Sequence, residues 1–480
     1  MRLNIESAGS AAESWKIYGV EKPGALNVEG YSNLDINMYI AIDDTDSREG
    51  MCTTFLATEL IKEFKEYQLL DYPRLVRLNP NVPWKTRGNG AVVLTLGMGR
   101  GANKKDAIGK IQREIHIYEQ GPSIPVESID KILCRAEKVI EDWAELDNDR
   151  TDPGLIVSDK KTPENLYEKG VKDVVKLDEV VDILEREGTS YTGFGKKRGL
   201  IGAAAALAWE PKDHTYELIT YRERSRWGTI RDIDKEQVRK LDRSIVGAFD
   251  SYDYEEDAST IDPNSPCPVL YGVRGDRSSE LKKALGIIDT EKPERWITFL
   301  SNQGTDEHIQ SSEIEDIRPW ISVKIEGRVT KEPRTIKGGH VFFEVSDKKG
   351  NSITAAAYEP TKGFRDIVNK LILGDMVQLY GGIRKDPLTL NIEKMKILHL
   401  EDKVIKTGNP ICPRCDKRMS SIGKNAGFRC KKCSTKASED DIETQKMERG
   451  LEERWYETPV SARRHLSKPL KRIFEDKGER

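Results

Sequence analysis

From residue 38 the chain falls into short apolar runs separated by polar turns. "MYIAI" begins at Met38 and ends against "DDTDSREGMCTT", after which Ala57, Leu60, Ile61 and Phe64 recur with the three-four spacing of one buried helix face. Strand, acidic turn and helix are predicted in that order. "RLVRL" (74–78) and "AVVLTL" (91–96) read as strands bracketing the loop "VPWKTRGNG". Helices are predicted from Ile108, Ile111, Ile115 and Tyr118, and again from Ile132, Leu133, Ala136, Val139, Ile140 and Trp143. This alternation predicts an α/β layer domain over 38–150. Residues 1–37 carry no clear periodicity and read as a loose extension, with Met38 the expected translation start.

Over 151–318 the pattern is mixed. "GLIV", "GLIGAAAALAW", "YELITYR" and "PVLYGVR" read as strands, with one amphipathic helix around Val180–Leu184, which predicts a second, α+β domain. Residues 319–402 are plainer. "WISVKIEGRV", "HVFFEVSD", "SITAAAY", "DMVQLYGGI" and "LTLNIEKMKIL" make five strands, with a helical "FRDIVNKLI" between the third and fourth, the order of an oligonucleotide-binding (OB) barrel. Residues 403–480 hold a cysteine-bearing module and a basic tail.

Composition adds bounds. A chain of 480 residues with 37% hydrophobic content exceeds one ordinary domain and can fill several cores. It has neither a membrane-length apolar run nor the features of a signal peptide, so a cytoplasmic protein is expected. The net charge of −3 hides segregation: Pro410–Ala437 carries eight Lys or Arg against one acid, Asp416. A basic block of this kind on a small module favours phosphate contacts.

Four of the seven cysteines, Cys412, Cys415, Cys430 and Cys433, form two Cys-x-x-Cys pairs fourteen residues apart. Two such knuckles complete a closed tetrahedron around a structural zinc. OB barrels bind single strands by stacking bases on aromatics and tracking phosphates with cations. Lys337, His340, Phe342, Phe343 and Tyr358 are candidates in the barrel and Lys431 and Lys432 in the ribbon, although strand alternation sends half the barrel aromatics into the core. Barrel and ribbon together point to RNA.

The acidic stretch is the candidate reaction site. Asp43, Asp44 and Asp46 follow a strand, with Thr45, Ser47, Thr53 and Thr54 before or at the start of a helix. Carboxylates are hard oxygen ligands suited to magnesium, Asp43 and Asp46 being the expected pair, and magnesium usually bridges to substrate phosphates. Gly50 allows a close backbone turn, and the helix start adds free N–H groups. An Asx-turn and capping cluster would use the same residues. Crowding three acids into four positions costs repulsion that a cap does not need, which favours the metal. Lys85 and Arg87 in "WKTRGNG", and Lys196, Lys197 and Arg198 in "GFGKKRG", can balance phosphates. No Walker-type glycine loop occurs in the chain.

These motifs, "AIDDTDSREGMCTT", "KTRGNGA", "YELITYR", "FDSYD", "PVLYGVRG", the two knuckles and the late "HLSKPL", together resemble the archaeal isoleucine-tRNA agmatidine synthetases (tRNA 2-agmatinylcytidine synthetases) from Met38 onward. The resemblance implies a kinase-like domain, a ferredoxin-like domain, an OB barrel and a zinc ribbon. It also implies an ATP-dependent ligase that phosphorylates C2 of the wobble cytidine of an isoleucine tRNA with a CAU anticodon and joins agmatine there, so that the tRNA reads AUA. In that family ATP is split to AMP, the threonine matching Thr53 receives the γ-phosphate, and the matching aspartates serve ATP and magnesium. Glu217, Asp250 and Asp253 are candidates for holding agmatine's guanidinium. The other reading is a non-catalytic RNA-binding protein that uses only the barrel and ribbon.

Overall fold

The computed structural model describes residues 37–85, 88–97, 104–118 and 127–476; the expected extension, Asn37 apart, and Arg87 lie outside the described residues. The first strand, β1 (Met38–Asp43), is buried along its whole length. Ile40 and Ile42 pack with helices α1 (Thr53–Glu63) and α2 (Ile129–Trp143), while Tyr39 and Ala41 face a second core. A central strand covered by helices on both faces must be apolar on both.

The longer strands that follow in the same sheet are β2 (Arg74–Arg77), β3 (Gly90–Gly97), β4 (Lys104–Ile111), β5 (Arg113–Tyr118), β6 (Gly154–Ser158), β7 (Ser190–Gly193), β8 (Thr215–Tyr221), β9 (Val269–Gly275) and β10 (Arg295–Ser301). The sheet has twelve strands in the order β9-β8-β10-β4-β5, then Gln68–Leu69, then β3-β1-β6-β7. Ala248–Phe249 adds to the β9 edge, and β2 bridges β10 and β3. On β1, Ile42 lies opposite Val92 of β3 and Asp43 opposite Gly154 of β6. The sheet therefore runs unbroken past residue 150, where the sequence suggested a boundary, because β6 supplies the second neighbour that β1 needs.

Two elements differ from expectation. Residues 108–118 form the β4–β5 hairpin and not a helix: the chain reverses at Gln112, which sits at φ 58°, and Lys110 opposes Glu114. Ile108, Ile111 and Ile115 still reach one core, as their spacing implied, but by way of the reversal. "GLIGAAAALAW" is a helix and not a strand: α3 (Glu164–Lys172) and α4 (Leu177–Arg186) are followed by α5 (Gly199–Ala208), buried on almost every side. A run apolar all round has no period to read, and alanine's helix propensity and small size decide the outcome. On the β8–β9 side, α6 (Lys235–Ser244) packs Val238 and Leu241 into a core with Leu218, Leu270 and Val273.

The barrel is as expected. Strands β11 (Ser322–Thr335), β12 (Val341–Ser346), β13 (Ser352–Ala357), β14 (Met376–Arg384) and β15 (Thr389–His399) close on themselves, with α7 (Gly363–Val368) between the third and fourth. β11 pairs with both β12 and β14, and β13 runs parallel to β15. After the cysteine module the chain returns to the barrel as β16 (Trp455–Glu457), with Glu457 opposite Lys394 of β15.

From there a strap crosses to the large sheet. Arg463 pairs with Asp250, Arg464 Nη1 donates to Asn81 Oδ1 at 2.5 Å, and the His465 carbonyl accepts from Gly304 N at 2.8 Å. Leu466 enters the core beside α5, and Lys468 Nζ lies 2.9 Å from Asp213 Oδ2. The last helix, α8 (Leu470–Asp476), is held by Arg472, whose Nε donates to Asp276 Oδ1 at 2.7 Å.

Candidate active site and RNA-facing modules

At its C-terminal end β1 turns out of the sheet. Asp44 takes φ 58°, a left-handed conformation that aspartate tolerates, and Met51 does so at the other end of the loop. Within the loop, Ser47 Oγ accepts from Glu49 N (3.0 Å) and Gly50 N (3.1 Å), and Thr45 Oγ1 donates to Thr53 Oγ1 at 3.1 Å. The loop thereby delivers Thr53 and Thr54 as the first residues of α1.

Helix α5 closes over the same point. A β-carbon on Gly199 would stand 2.6 Å from the Asp43 carbonyl oxygen, and one on Gly202 would overlap the Asp43 carboxylate. These two glycines let the start of the helix rest on Asp43. Arg198, just before α5, grips Asp152 through Nε (2.9 Å) and Nη2 (2.7 Å), and the Asp152 backbone N–H donates to Asp44 Oδ2 at 3.2 Å.

A cavity of about 420 Å³ opens here. Asp43, Asp44, Asp46, Thr53, Thr54, Lys85 and Arg198 line it, so that candidates from three separate stretches converge. Burial and then the adjacent Asp44 and Asp46 push the Asp43 carboxyl well above the ordinary range; burial first, with Asp46 and Asp152 adding, pushes Asp44 up to about 6. A divalent cation would relieve both penalties, although among the described residues only the ribbon cysteines bring three or more ligand atoms within 4.8 Å of one another. Ser47 and Gly50 shape the loop without lining the cavity, and Lys197 and Lys196 are exposed outside it.

The far wall comes from the second domain. Glu217 on β8 is buried, with Arg274 Nε at 3.3 Å, Arg77 Nη2 at 3.8 Å and Gln303 Nε2 donating at 2.5 Å. Burial raises the Glu217 carboxyl, but Arg274 and Arg77 outweigh it and hold the group below its usual range. Asp250 and Asp253 do not line the cavity: Asp250 pairs with Arg463, and Asp253 accepts from Ser461 N at 2.9 Å. Their physical role in this structure is to anchor the strap. Sequence reading missed Arg77, Arg274 and His465, all lining the cavity; "HLSKPL" was the only pointer to the last.

On the barrel, Phe343 is core, whereas Phe342 is half-buried and lies 6.0 Å from Tyr358. His340 packs edge-on against Tyr358 at 5.3 Å, Arg384 Nη1 donates to the Tyr358 hydroxyl at 2.7 Å, and Lys337 is exposed. This outer cluster of rings and cations has the make-up of a single-strand platform. In the ribbon the four cysteine sulfurs all lie within 4.8 Å of one another. A tetrahedron of zinc–sulfur bonds of about 2.3 Å needs edges of about 3.8 Å, so the set fits zinc. Lys431 and Lys432 are exposed beside it.

Comparison with known proteins accords with this geometry. Family models match in order: the TiaS TCKD domain over residues 39–196, the TiaS FLD domain over 197–308, an OB-fold nucleic acid binding domain over 323–398 and the TiaS C-terminal zinc ribbon over 409–451. The isoleucine-tRNA 2-agmatinylcytidine synthetase TiaS of Methanocaldococcus jannaschii is 42% identical, across 91% of this chain and 99% of that relative. The Archaeoglobus fulgidus enzyme of the same name is 41% identical, across 91% and 98%. The chain belongs to the TiaS family. Among solved members of that family, a complex of TiaS with its isoleucine tRNA and ATP matches with a TM-score of 0.78 at 38% identity, covering 91% of this chain and 97% of that one. A complex of TiaS with the same tRNA, AMPCPP and agmatine matches at 0.76 and 36%, covering 91% and 97%. The first two family matches meet at residue 196, beside α5, so the helix that covers the aspartates opens the second unit.

Proposed function

We propose that this chain is an ATP-dependent ligase that joins agmatine to the wobble cytidine of isoleucine tRNA, as its family implies. The observation that carries the reading is the convergence of the aspartates, Thr53 and Lys85 in one cavity, on a chain that also carries an OB barrel and a zinc ribbon. A non-catalytic RNA-binding role would leave that desolvated acid cluster without a use.

Asp43 and Asp46 would hold magnesium, which supplies charge neutralisation for a triphosphate. Lys85 and Arg198 line the same cavity and balance phosphate charge. Thr45 holds the Thr53 hydroxyl at the start of α1, where helix N–H groups favour an incoming phosphoryl group. The C2 oxygen of cytosine is a poor leaving group, and phosphorylation gives the amine of agmatine something to displace. Glu217 is the acid on the cavity wall nearest to an agmatine role, although Arg77 and Arg274 already engage it. The anticodon base must leave its stack, at roughly a few kcal/mol, and grip by the barrel platform and by Lys431 and Lys432 offsets that cost. Among the described residues no helix is long and apolar enough to cross a membrane, and tRNA chemistry suits the cytoplasm.

The test is Asp46→Ala and Thr53→Ala, each measured for agmatine transfer and for tRNA affinity. Both variants are expected to lose transfer and keep binding. Undiminished transfer in Asp46→Ala would remove the aspartates from the reaction.

A further inference from the structure

The motif "HLSKPL" has so far had no role beyond structure, yet it carries a histidine from the far end of the chain into the reaction cavity. His465 lines that cavity together with Arg77 from β2, Lys85 and Arg274 from β9. Its main chain is fixed by the bond from Gly304 N, and the neighbours on either side are fixed as well, Arg464 on Asn81 and Leu466 in the core beside α5. The ring's Nδ1 is shielded from solvent and has no hydrogen-bond partner among the described residues. Arg77 Nη1 at 2.6 Å and His465 Nε2 at 3.1 Å both face the point where a β-carbon on Gly88 would be, so the glycine leaves room at that edge of the ring beside the guanidinium.

The charges around the ring define what it meets. Arg77, Lys85 and Arg274 are cations; Glu217 lies against the two arginines, Glu393 opposes Lys85, and Asp173 and Asp262 also line the cavity. Three cations grouped in this way favour a phosphate beside the ring. Burial first, then Arg77, Arg274 and Lys85, hold the imidazole well below its usual range, so at neutral pH it is an unprotonated acceptor.

We propose that His465 is a catalytic residue of the second half of the reaction, carrying a proton from the attacking amine to the departing phosphate. This rests on the ligase reading above. A C–N bond forms between the amine and C2 of the cytosine, and the C2–O bond breaks with its electron pair leaving on phosphate. The amine sheds one proton, the imidazole of His465 takes it, and it ends on the phosphate oxygen. Without it the phosphate would leave as a trianion. Arg77, Lys85 and Arg274 neutralise the charge that remains. No other reactant is required.

The experiment uses the full chain, wild type and His465→Ala, in single turnovers with isoleucine tRNA, labelled agmatine and ATP labelled in its β and γ phosphates. General acid–base groups contribute about 10²–10⁴-fold, and agmatine transfer in His465→Ala is expected to fall by that factor. tRNA affinity and phosphorylation of the tRNA should stay within about threefold of wild type, so phosphate-labelled tRNA accumulates. Imidazole in the buffer should restore transfer by about tenfold or more. His465→Gln, which fills the space without the proton chemistry, should match His465→Ala but ignore imidazole. Transfer within about threefold of wild type in His465→Ala overturns the assignment, as does a loss that imidazole leaves unrepaired. Wild-type protein that forms no agmatine adduct would instead sink the ligase reading, before any variant is compared.

Discussion

Gly202 of α5 lies so close to Asp43 that a β-carbon there would overlap Oδ2 of the carboxylate. The helix and the acid are thus positioned by each other. Gly202→Ala must displace one of them. Overpacking costs about 1–3 kcal/mol, which lowers Tm by a few degrees in a domain this size. Agmatine transfer should fall at least about a hundredfold, because a displacement of about 1 Å in a phosphoryl-transfer site has that effect. Thermal denaturation and single-turnover transfer, measured together, check this: near-normal transfer in a folded variant would show that Asp43 is not held in place by the helix.

Lys85 offers a pH signature. Burial first, and Arg464 beside it, pull its ammonium down to about 8, with Glu393 opposing. The group is cationic below that pH and neutral above it, so its share of phosphate binding is present at pH 7 and lost as pH rises through about 8. Lys85→Arg keeps its charge there. The wild-type KM for ATP should therefore rise several-fold between about pH 7 and about pH 9 relative to that of Lys85→Arg. Parallel pH profiles would take Lys85 out of phosphate binding.

The ribbon's own core is small. Met419 and Phe428 make up its apolar cluster together with the ligand residues Cys412 and Cys430. Too little apolar area is enclosed to fold it without metal. One zinc per chain is expected by elemental analysis. Cys415→Ser should release it and unfold residues 409–451 while leaving the Tm of the large sheet within a degree or two.

Removing the ribbon cleanly requires attention to the strap. Deleting residues 403–480 also removes β16 and the strap, so it is expected to abolish agmatine transfer and not only to weaken tRNA binding. Gly408 faces Glu443 across the short antiparallel ladder formed by residues 404–408 and 443–446, which makes that pair a natural splice point. Excising 409–442 with a short Gly-Ser joint should weaken tRNA binding and leave the cavity intact. Equal tRNA affinity after excision would remove the ribbon from recognition.

Much of this architecture was legible from the sequence. The barrel announced itself by five alternating runs, and the knuckles by spacing alone. The two misread elements fail for physical reasons: Ile108, Ile111 and Ile115 reach one core through a reversal at Gln112 that no spacing rule detects, and the alanine run of α5 has no period. The cavity was half visible. Asp43, Asp44, Asp46 and Thr53 are neighbours in sequence, but Arg77, Glu217, Arg274 and His465 meet only through the sheet order and the strap. Asp250 and Asp253 had the right chemistry for a dication and the wrong place, being turned toward Arg463 and Ser461.

The strap also bears on how the chamber tolerates a break in the chain. His465 reaches the wall that Arg77 and Arg274 provide only by way of residues 458–476, which cross from β16 to the large sheet. Without the strap the barrel and most of the large sheet keep their own cores, yet the reaction chamber is one wall short. A chain cut between the barrel and the strap therefore loses that wall even where its aspartates are intact.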